Sequence, residues 1–308
     1  MKELKDYKGG HALRTFNLLD EQYHKPVCDM HGDTMIEIKN LNYQYEDGTV
    51  ALQNVNLTIN KGEKIAIMGP NGSGKSTLFL CLNGVYKPTN GSIQVNGEPV
   101  TYNRNGLKKL RQIIGIVFQN PDNQLFSADV FQEISFGPMN LGLEKEVVRE
   151  RVESVLESLH IQHLKKRPTH FLSGGQKKQV AIADILAMKP EVILFDEPTA
   201  ALDSYHSQLV NDLVDELCEA GITVIQATHD SDYAMAWADR IIVIQDGKVL
   251  VKDTPQNVFE NVELRKKAYL EEPNVLKMYN CLCKANIIEQ TNNPICPKSI
   301  DELIKGLE

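Results

Sequence analysis

The sequence predicts an α/β fold in which buried parallel strands carry a phosphate-binding loop. Three observations lead there. First, an apolar run, Ile65-Ala66-Ile67-Met68, leads into Gly69-Pro70-Asn71-Gly72-Ser73-Gly74-Lys75-Ser76-Thr77 and then into Leu78-Phe79-Leu80-Cys81-Leu82. Gly, four residues, Gly, Lys, then Ser or Thr, set between a strand and a helix, is the pattern of a loop that cradles phosphate. Second, further short apolar runs at Ile113–Phe118, Val192–Phe195 and Thr223–Thr228 read as buried strands. Third, alternating segments before residue 60 and helically spaced segments from about 129 to 187 occupy separate parts of the chain.

The chain has 308 residues and a formal net charge of −8. That length allows one large domain, or one domain with appendages. The acidic balance argues against a nucleic-acid binder, which usually presents a basic surface. Cys28, Cys81, Cys218, Cys281, Cys283 and Cys296 are scattered and form no CxxC pair. No apolar run is long enough to cross a bilayer. The start, Met1 to Asp6, lacks the apolar core of a signal peptide. The expectation is a reduced, cytoplasmic protein, so any membrane role comes through a partner.

Residues 1–34 are polar and weakly periodic. His24, Cys28 and His31 have metal-like spacing, but only His11 offers a fourth ligand, so an extension is the plainer reading. Met35–Lys39 and Ala51–Ile59 alternate as half-buried strands do, with a turn at Glu46-Asp47-Gly48. Tyr45, just before that turn, can stack on a purine; Tyr43 reads as packing. In the phosphate loop, glycines let successive N–H groups converge and the following helix adds partial positive charge. Lys75 reaches the terminal phosphates, and the Ser76 hydroxyl can ligate Mg²⁺.

Pro88-Thr89-Asn90-Gly91 breaks the pattern, and Ser92–Val100 reads as a hairpin about Asn96-Gly97. The strand at Ile113–Phe118 runs into Gln119, a polar residue at a strand's carboxyl end, where ligands bind in α/β sheets. Glu144 to His160 has apolar residues at helical spacing, and Pro168 breaks the run. Ser173-Gly174-Gly175-Gln176 then opens a helix through Met188. It reads either as a second anion-binding turn or as a simple helix cap.

Val192–Phe195 ends in Asp196-Glu197, and a strand's alternation sends those two carboxylates apart. Asp196 suits the hydration shell of Mg²⁺, and Glu197 suits polarising a water. The strand Thr223–Thr228 ends in His229, which can donate to a phosphate oxygen. Ile241–Leu250 reads as a hairpin about Asp246-Gly247. Residues 253–308 read as an appendage, with a short helix after Thr254-Pro255 and a capping box at Ser299–Glu302. Cys281, Cys283 and Cys296 in this segment read as packing residues.

Taken in order, these pieces resemble the ATP-binding subunit of ATP-binding-cassette (ABC) transporters. The likeness covers about 35–252 and rests on the phosphate loop, Gln119, Leu172-Ser173-Gly174-Gly175-Gln176, Val192–Glu197, Ala201-Leu202-Asp203 and His229. Leu-Ser-Gly-Gly-Gln is its most specific part. The resemblance implies a phosphate-loop NTPase of ABC type. Its parts would be a mixed-sheet core, an antiparallel β subdomain, a helical subdomain at about 129–187 and a small C-terminal helical extension. It implies ATP and Mg²⁺ as ligands and two ATP molecules clamped between two subunits, in a homodimer or with a related ATPase subunit. Tyr45 would stack on adenine. Gln119 would sense Mg²⁺ and the attacking water, and Asp196 would hold Mg²⁺ through water. Glu197 would be the general base, and His229 would fix the γ-phosphate. Ser173, Gly175 and Gln176, with Gly174 in the same turn, would reach the opposite subunit's nucleotide, and Asp203 would couple the two sites.

Within that family, Phe118–Phe126 and Phe136–Gly142 look like the energy-coupling-factor group, closest to its cobalt-transport ATPases. That implies a place on the cytoplasmic face of the membrane, beside an integral-membrane coupling protein and a substrate-binding membrane protein. Cobalt or another transition metal is the expected cargo, with vitamin uptake as the alternative. Gln179, Asp184 and Ala200 depart from common residues of the family, but no catalytic group is lost. A soluble cassette acting on DNA or ribosomes would usually carry two cassettes, a coiled-coil insertion or zinc modules. A binding-only cassette would lack Lys75 or Glu197.

Overall fold

A computed structural model describes residues 33–288 and 296–307. The possible ligands His11, His24, Cys28 and His31 lie outside the described residues. Strands β1 (Thr34–Gln44) and β2 (Val50–Asn60) are followed by β3 (Lys64–Met68) and helix α1 (Lys75–Leu82), which bracket the phosphate loop. Next come β4 (Asn90–Val95), β5 (Glu98–Pro99), α2 (Arg104–Ile113) and β6 (Ile114–Val117). Helices α3 (Val130–Asn140), α4 (Lys145–Ser158) and α5 (Gly174–Leu186) form the helical part. Then β7 (Val192–Asp196), α6 (Ser204–Glu219), β8 (Thr223–Ala227), α7 (Ser231–Trp237), β9 (Arg240–Gln245) and β10 (Lys248–Asp253) complete the sheets. Helices α8 (Pro255–Glu260), α9 (Val262–Ala268), α10 (Asn274–Lys284) and α11 (Ile300–Lys305) follow.

One sheet has the order β2-β1-β4-β5 and is antiparallel throughout. The other has the order β10-β9-β3-β8-β7-β6. Its pairs are parallel except β10 with β9, so it is mixed. The predicted architecture is therefore present. Strands β6, β7 and β8 are buried at every position because both faces are covered, and polar residues enter them only at Thr223, Gln226 and the terminal Asp196. Alternation survives as a choice between two cores. Ile65, Ile67, Leu194 and Ile225 face the layer shared with α1 and the antiparallel sheet. Ala66, Met68, Ile193, Phe195 and Val224 face the layer shared with α3–α6. The segment after β10 joins that second layer through Val258, Phe259, Val275, Leu276, Cys296 and Leu303.

Both predicted hairpin turns have two central residues at positive φ, as two-residue hairpins need: Asn96 and Gly97 at 51° and 77°, Asp246 and Gly247 at 50° and 72°. Some boundaries differ from expectation by a residue or two: α5 ends at Leu186, where Met188 was expected, and β8 ends at Ala227, where Thr228 was expected. Ile113 closes α2, and the strand starts at Ile114. Helix α2, unassigned from the sequence, sets Leu107, Leu110 and Ile113 three residues apart on one face, with Leu110 buried and the other two partly buried among basic residues. At α11 the capping box is incomplete. Ser299 caps Glu302, but the Glu302 carboxylate accepts from the Lys298 N–H at 2.8 Å, one residue early. Among the described residues no group of three His, Cys, Asp or Glu side chains could hold a metal ion, which leaves Cys281, Cys283 and Cys296 unassembled.

The α3–α5 interface contains a buried polar cluster. Gln124 donates to Ala181 O at 2.7 Å and to an Asp184 carboxylate oxygen at 3.3 Å. The Glu133 carboxylate accepts the N–H groups of Phe126 and Ser127 at 2.9 and 2.6 Å. Burial, with the Glu133 charge adding to it, pushes the Asp184 carboxyl up from 3.8 to about 7. Between those values the folded chain binds more protons than the unfolded one, so this group's stabilising contribution falls as pH rises from 4 to 7 and then levels off. Asp184→Asn is therefore expected to gain nothing at pH 4. At pH 8 it should raise the melting temperature by roughly 2–4 °C, the shift that about 1 kcal/mol produces in a large domain. Thermal unfolding of both proteins across pH checks this.

Candidate active site

The register of the mixed sheet brings the site together. Val117, Phe195 and Gln226 lie side by side on β6, β7 and β8. Ile67 of β3 pairs with Ala227. All four strands are parallel, so Gly69, Gln119, Asp196, Glu197 and His229 emerge along one edge, at the strands' carboxyl ends.

The loop from Gly69 to Thr77 needs glycine at two points. Gly69 has φ +144°, and a Cβ there would sit 1.9 Å from Ile244 O; Gly74 has φ +109°, with Ala51 O at 2.7 Å. Pro70, Asn71 and Gly72 form the outer bend, closed by the Ser73 N–H donating to Pro70 O at 3.2 Å. Lys75 is buried, and its ammonium donates to Gly69 O at 2.7 Å and Pro70 O at 3.0 Å. Burial lowers its pKa, and the carboxylates of Glu197 and Asp196 oppose that shift. The Ser73 hydroxyl is buried without a hydrogen-bond partner among the described residues. A loop with an exposed outer bend that presents a buried cation and an orphaned hydroxyl suits a polyanion.

The two carboxylates part company as the strand predicts. Asp196 is buried; burial raises its pKa, and a hydrogen bond from Ser76 opposes the rise. Glu197 leaves the strand at φ +47°, a left-handed conformation uncommon outside glycine. Its Oε2 accepts from Gln119 Nε2 at 2.8 Å, and its Oε1 lies 3.1 Å from His229 Nδ1. Three residues expected to act together are thus joined through one carboxylate. Tyr45 sits at the start of α1, its hydroxyl 2.8 Å from Thr77 Oγ1 and its ring against the edges of Tyr43 and Tyr86. Tyr43 is stacked on Tyr86 at 4.9 Å, which agrees with a packing role.

The remaining residues form a second group. Ser173 and Gln176 cap α5 reciprocally: Gln176 N donates to Ser173 Oγ at 3.3 Å and Ser173 N to Gln176 Oε1 at 3.1 Å. Ser173 and Gly174 are exposed, and Gly175 is half-buried. Asp203 caps α6 by accepting the His206 N–H at 2.8 Å and also holds the His206 ring at 2.9 Å. That ring lies over Gly175, where an added Cβ would be 2.5 Å from it. His206 therefore links Asp203 to the Ser173 turn, a role the motif reading missed. Lys178, also missed, donates to the carbonyls of Phe118 and Gln119. Neither residue carries a local pattern that separates it from a helix-surface side chain.

A protein-family model described as "ABC transporter" matches residues 52–200. The energy-coupling factor transporter ATP-binding protein EcfA of Methanocaldococcus jannaschii is 45% identical over 254 residues, covering 82% of this chain and 91% of the relative. The chain belongs to the ATP-binding subunits of ABC transporters. It is an ABC ATPase, and its reaction is ATP hydrolysis. Among solved structures, CbiO1 of Clostridium perfringens, described as part of the ABC transporter complex CbiONQ, superposes with a TM-score of 0.68. It is 46% identical and covers 80% of this chain and 99% of that one. The ATP-binding cassette MJ0796, in a dimeric post-hydrolysis state bound to ADP and Pi, is 34% identical with a TM-score of 0.65 over 72% of this chain and 99% of that one.

Removing the loop's buried cation should be costly, because a desolvated charge contact is worth about 2–5 kcal/mol. Lys75→Ala is expected to weaken ATP binding on the order of 100-fold in calorimetry. Unchanged affinity would contradict the placement of triphosphate here.

Proposed function

We propose that this ABC ATPase powers an energy-coupling-factor importer of transition-metal ions, with cobalt as the favoured cargo. In this reading two subunits clamp two ATP molecules. Glu197 is the general base, with its carboxylate oriented by Gln119 and His229. His229 fixes the γ-phosphate, and Tyr45 stacks on adenine. Lys75 and the loop N–H groups from Gly69 to Thr77 hold the phosphates. Ser173 to Gln176 and Asp203 belong to the nucleotide held by the opposite subunit. The exposure of the Ser173 turn supports that assignment. The observation that carries the hydrolytic reading is Glu197 held between Gln119 and His229 at 2.8 and 3.1 Å.

The donors fit Mg²⁺. Asp196 accepts from the Ser76 hydroxyl, which makes an adjacent pair of hard oxygen donors beside the phosphate loop. Ser76 and Asp196, with Gln119 nearby, would hold the ion. Bound there, Mg²⁺ neutralises phosphate charge.

The transport reading is supported by the likeness to EcfA and CbiO1. It is also supported by a surface just beyond Gln119. Phe126 is 65% exposed, Met139 59% and Phe136 46%, and the two phenyl rings meet edge to face at 4.7 Å. Exposed aromatic residues grouped in this way suit a protein partner. Among the described residues no helix is long and apolar enough to cross a membrane. A peripheral place on the cytoplasmic face, against an integral-membrane coupling protein joined to a substrate-binding membrane protein, fits this arrangement.

Glu197→Gln is expected to keep ATP binding, lose hydrolysis by about 100-fold or more and accumulate as an ATP-bound dimer in size-exclusion chromatography. An undiminished rate removes Glu197 from the base role. Phe126→Ser with Phe136→Ser should abolish cobalt uptake by cells while the purified subunit hydrolyses ATP at its basal rate. Equal loss of both activities would count against a coupling role.

A further inference from the structure

Helix α5 carries two adjacent lysines with opposite fates. Lys177 pairs with Asp122 at 2.6 Å on the surface. Lys178 is 1% exposed and ranks among the largest fully buried side chains described. A buried ammonium normally faces a carboxylate, because desolvating an unpaired charge costs several kcal/mol. Lys178 instead spends its donors on two backbone carbonyls, Phe118 O at 3.0 Å and Gln119 O at 2.7 Å. Burial lowers its pKa to about 8, and attraction to Asp196 opposes the shift.

The same short loop is tied down a second time. The Phe118 N–H donates to Gln124 Oε1 at 3.4 Å, and Gln124 Nε2 returns to Ala181 O on α5 at 2.7 Å. Lys178, Ala181 and Asp184 are three residues apart, so the tethers leave α5 from one face. The loop they grip ends in Gln119, whose amide reaches Glu197. The helix they leave begins at the Ser173 turn.

We propose that Lys178 is a positioning residue for hydrolysis. It holds the main chain at Gln119, so that the Gln119 amide orients Glu197, and it makes that orientation follow the position of α5 and its Ser173 turn. The chemistry of the side chain suits this task. One ammonium with three donors can bridge two carbonyls. A methionine of similar length fills the space but releases both, and an arginine keeps the donors. This inference rests on the reading of Glu197 and Gln119 as the hydrolytic pair.

The test compares the full chain as wild type, Lys178→Met, Lys178→Arg, Gln119→Ala, Lys178→Met with Gln119→Ala, and Glu197→Gln. Lys178→Met should lower kcat about 10–100-fold, the range of a misplaced catalytic group, with ATP affinity within about threefold of wild type. Lys178→Arg should recover most of the rate. The double variant should be no slower than Gln119→Ala alone, because residues acting through one group are not additive. Where Lys178→Met fails to fold, Lys178→Gln, which keeps a donor, replaces it in the same cycle. Wild-type kcat in Lys178→Met, or additive losses in the double variant, overturns the inference. Parallel loss of affinity, melting temperature and rate that Lys178→Arg does not restore overturns it as well. Full hydrolysis by Glu197→Gln would instead overturn the reading of the site beneath it.

Discussion

The carboxylate of Glu197 is the point on which the rest of the site depends. It sits one residue past a fully buried strand, in a backbone conformation that carries strain for any side chain with a Cβ. Two neighbours from two other strands hold it there, Gln119 from the end of β6 and His229 from the end of β8. None of the three is close to another in sequence. Their meeting requires β6, β7 and β8 to be adjacent, parallel and in register, and that register is set by packing.

The packing follows from how the central strands share their side chains. Each strand divides its apolar residues between two cores, one against the antiparallel sheet and α1, the other against the helices. A slip of one residue would send every side chain to the wrong core, so register is strongly specified. The same constraint carries the phosphate loop. β3 lies between β9 and β8, and its end delivers Gly69 to within touching distance of the Ile244 carbonyl. Glycine there follows from this close approach as much as from phosphate binding.

Helix α5 joins the two halves of the molecule's chemistry. Its first turn presents Ser173, Gly174 and Gly175, and its buried face holds the Gln119 loop through Lys178 and Gln124. His206, gripped by Asp203 and packed over Gly175, ties the start of α6 to the same turn. The helical part therefore carries a chain of hydrogen bonds from the exposed Ser173 turn through Lys178 and Gln119 to the Glu197 carboxylate.

Local chemistry made much of this legible in advance. The phosphate loop needs glycines, a lysine and a hydroxyl in fixed order, so its spacing is written in the chain. The buried strands, the Asn-Gly and Asp-Gly turns and the Ser173 cap are likewise local, and each lies within a residue or two of its expected position. Helix α2, with Leu107, Leu110 and Ile113 three apart, was written in the chain and overlooked. The start of β6 and the misplaced half of the Ser299 cap were decided by neighbours in space. So was the difference between Lys177 and Lys178, which are identical and adjacent in sequence. Sequence alone determined the order of glycines, lysine and hydroxyl in the loop and the polar residues that end the strands. Tertiary structure decided which of them touch Glu197 and which lysine is buried, because burial depends on what packs over a residue and not on its own side chain.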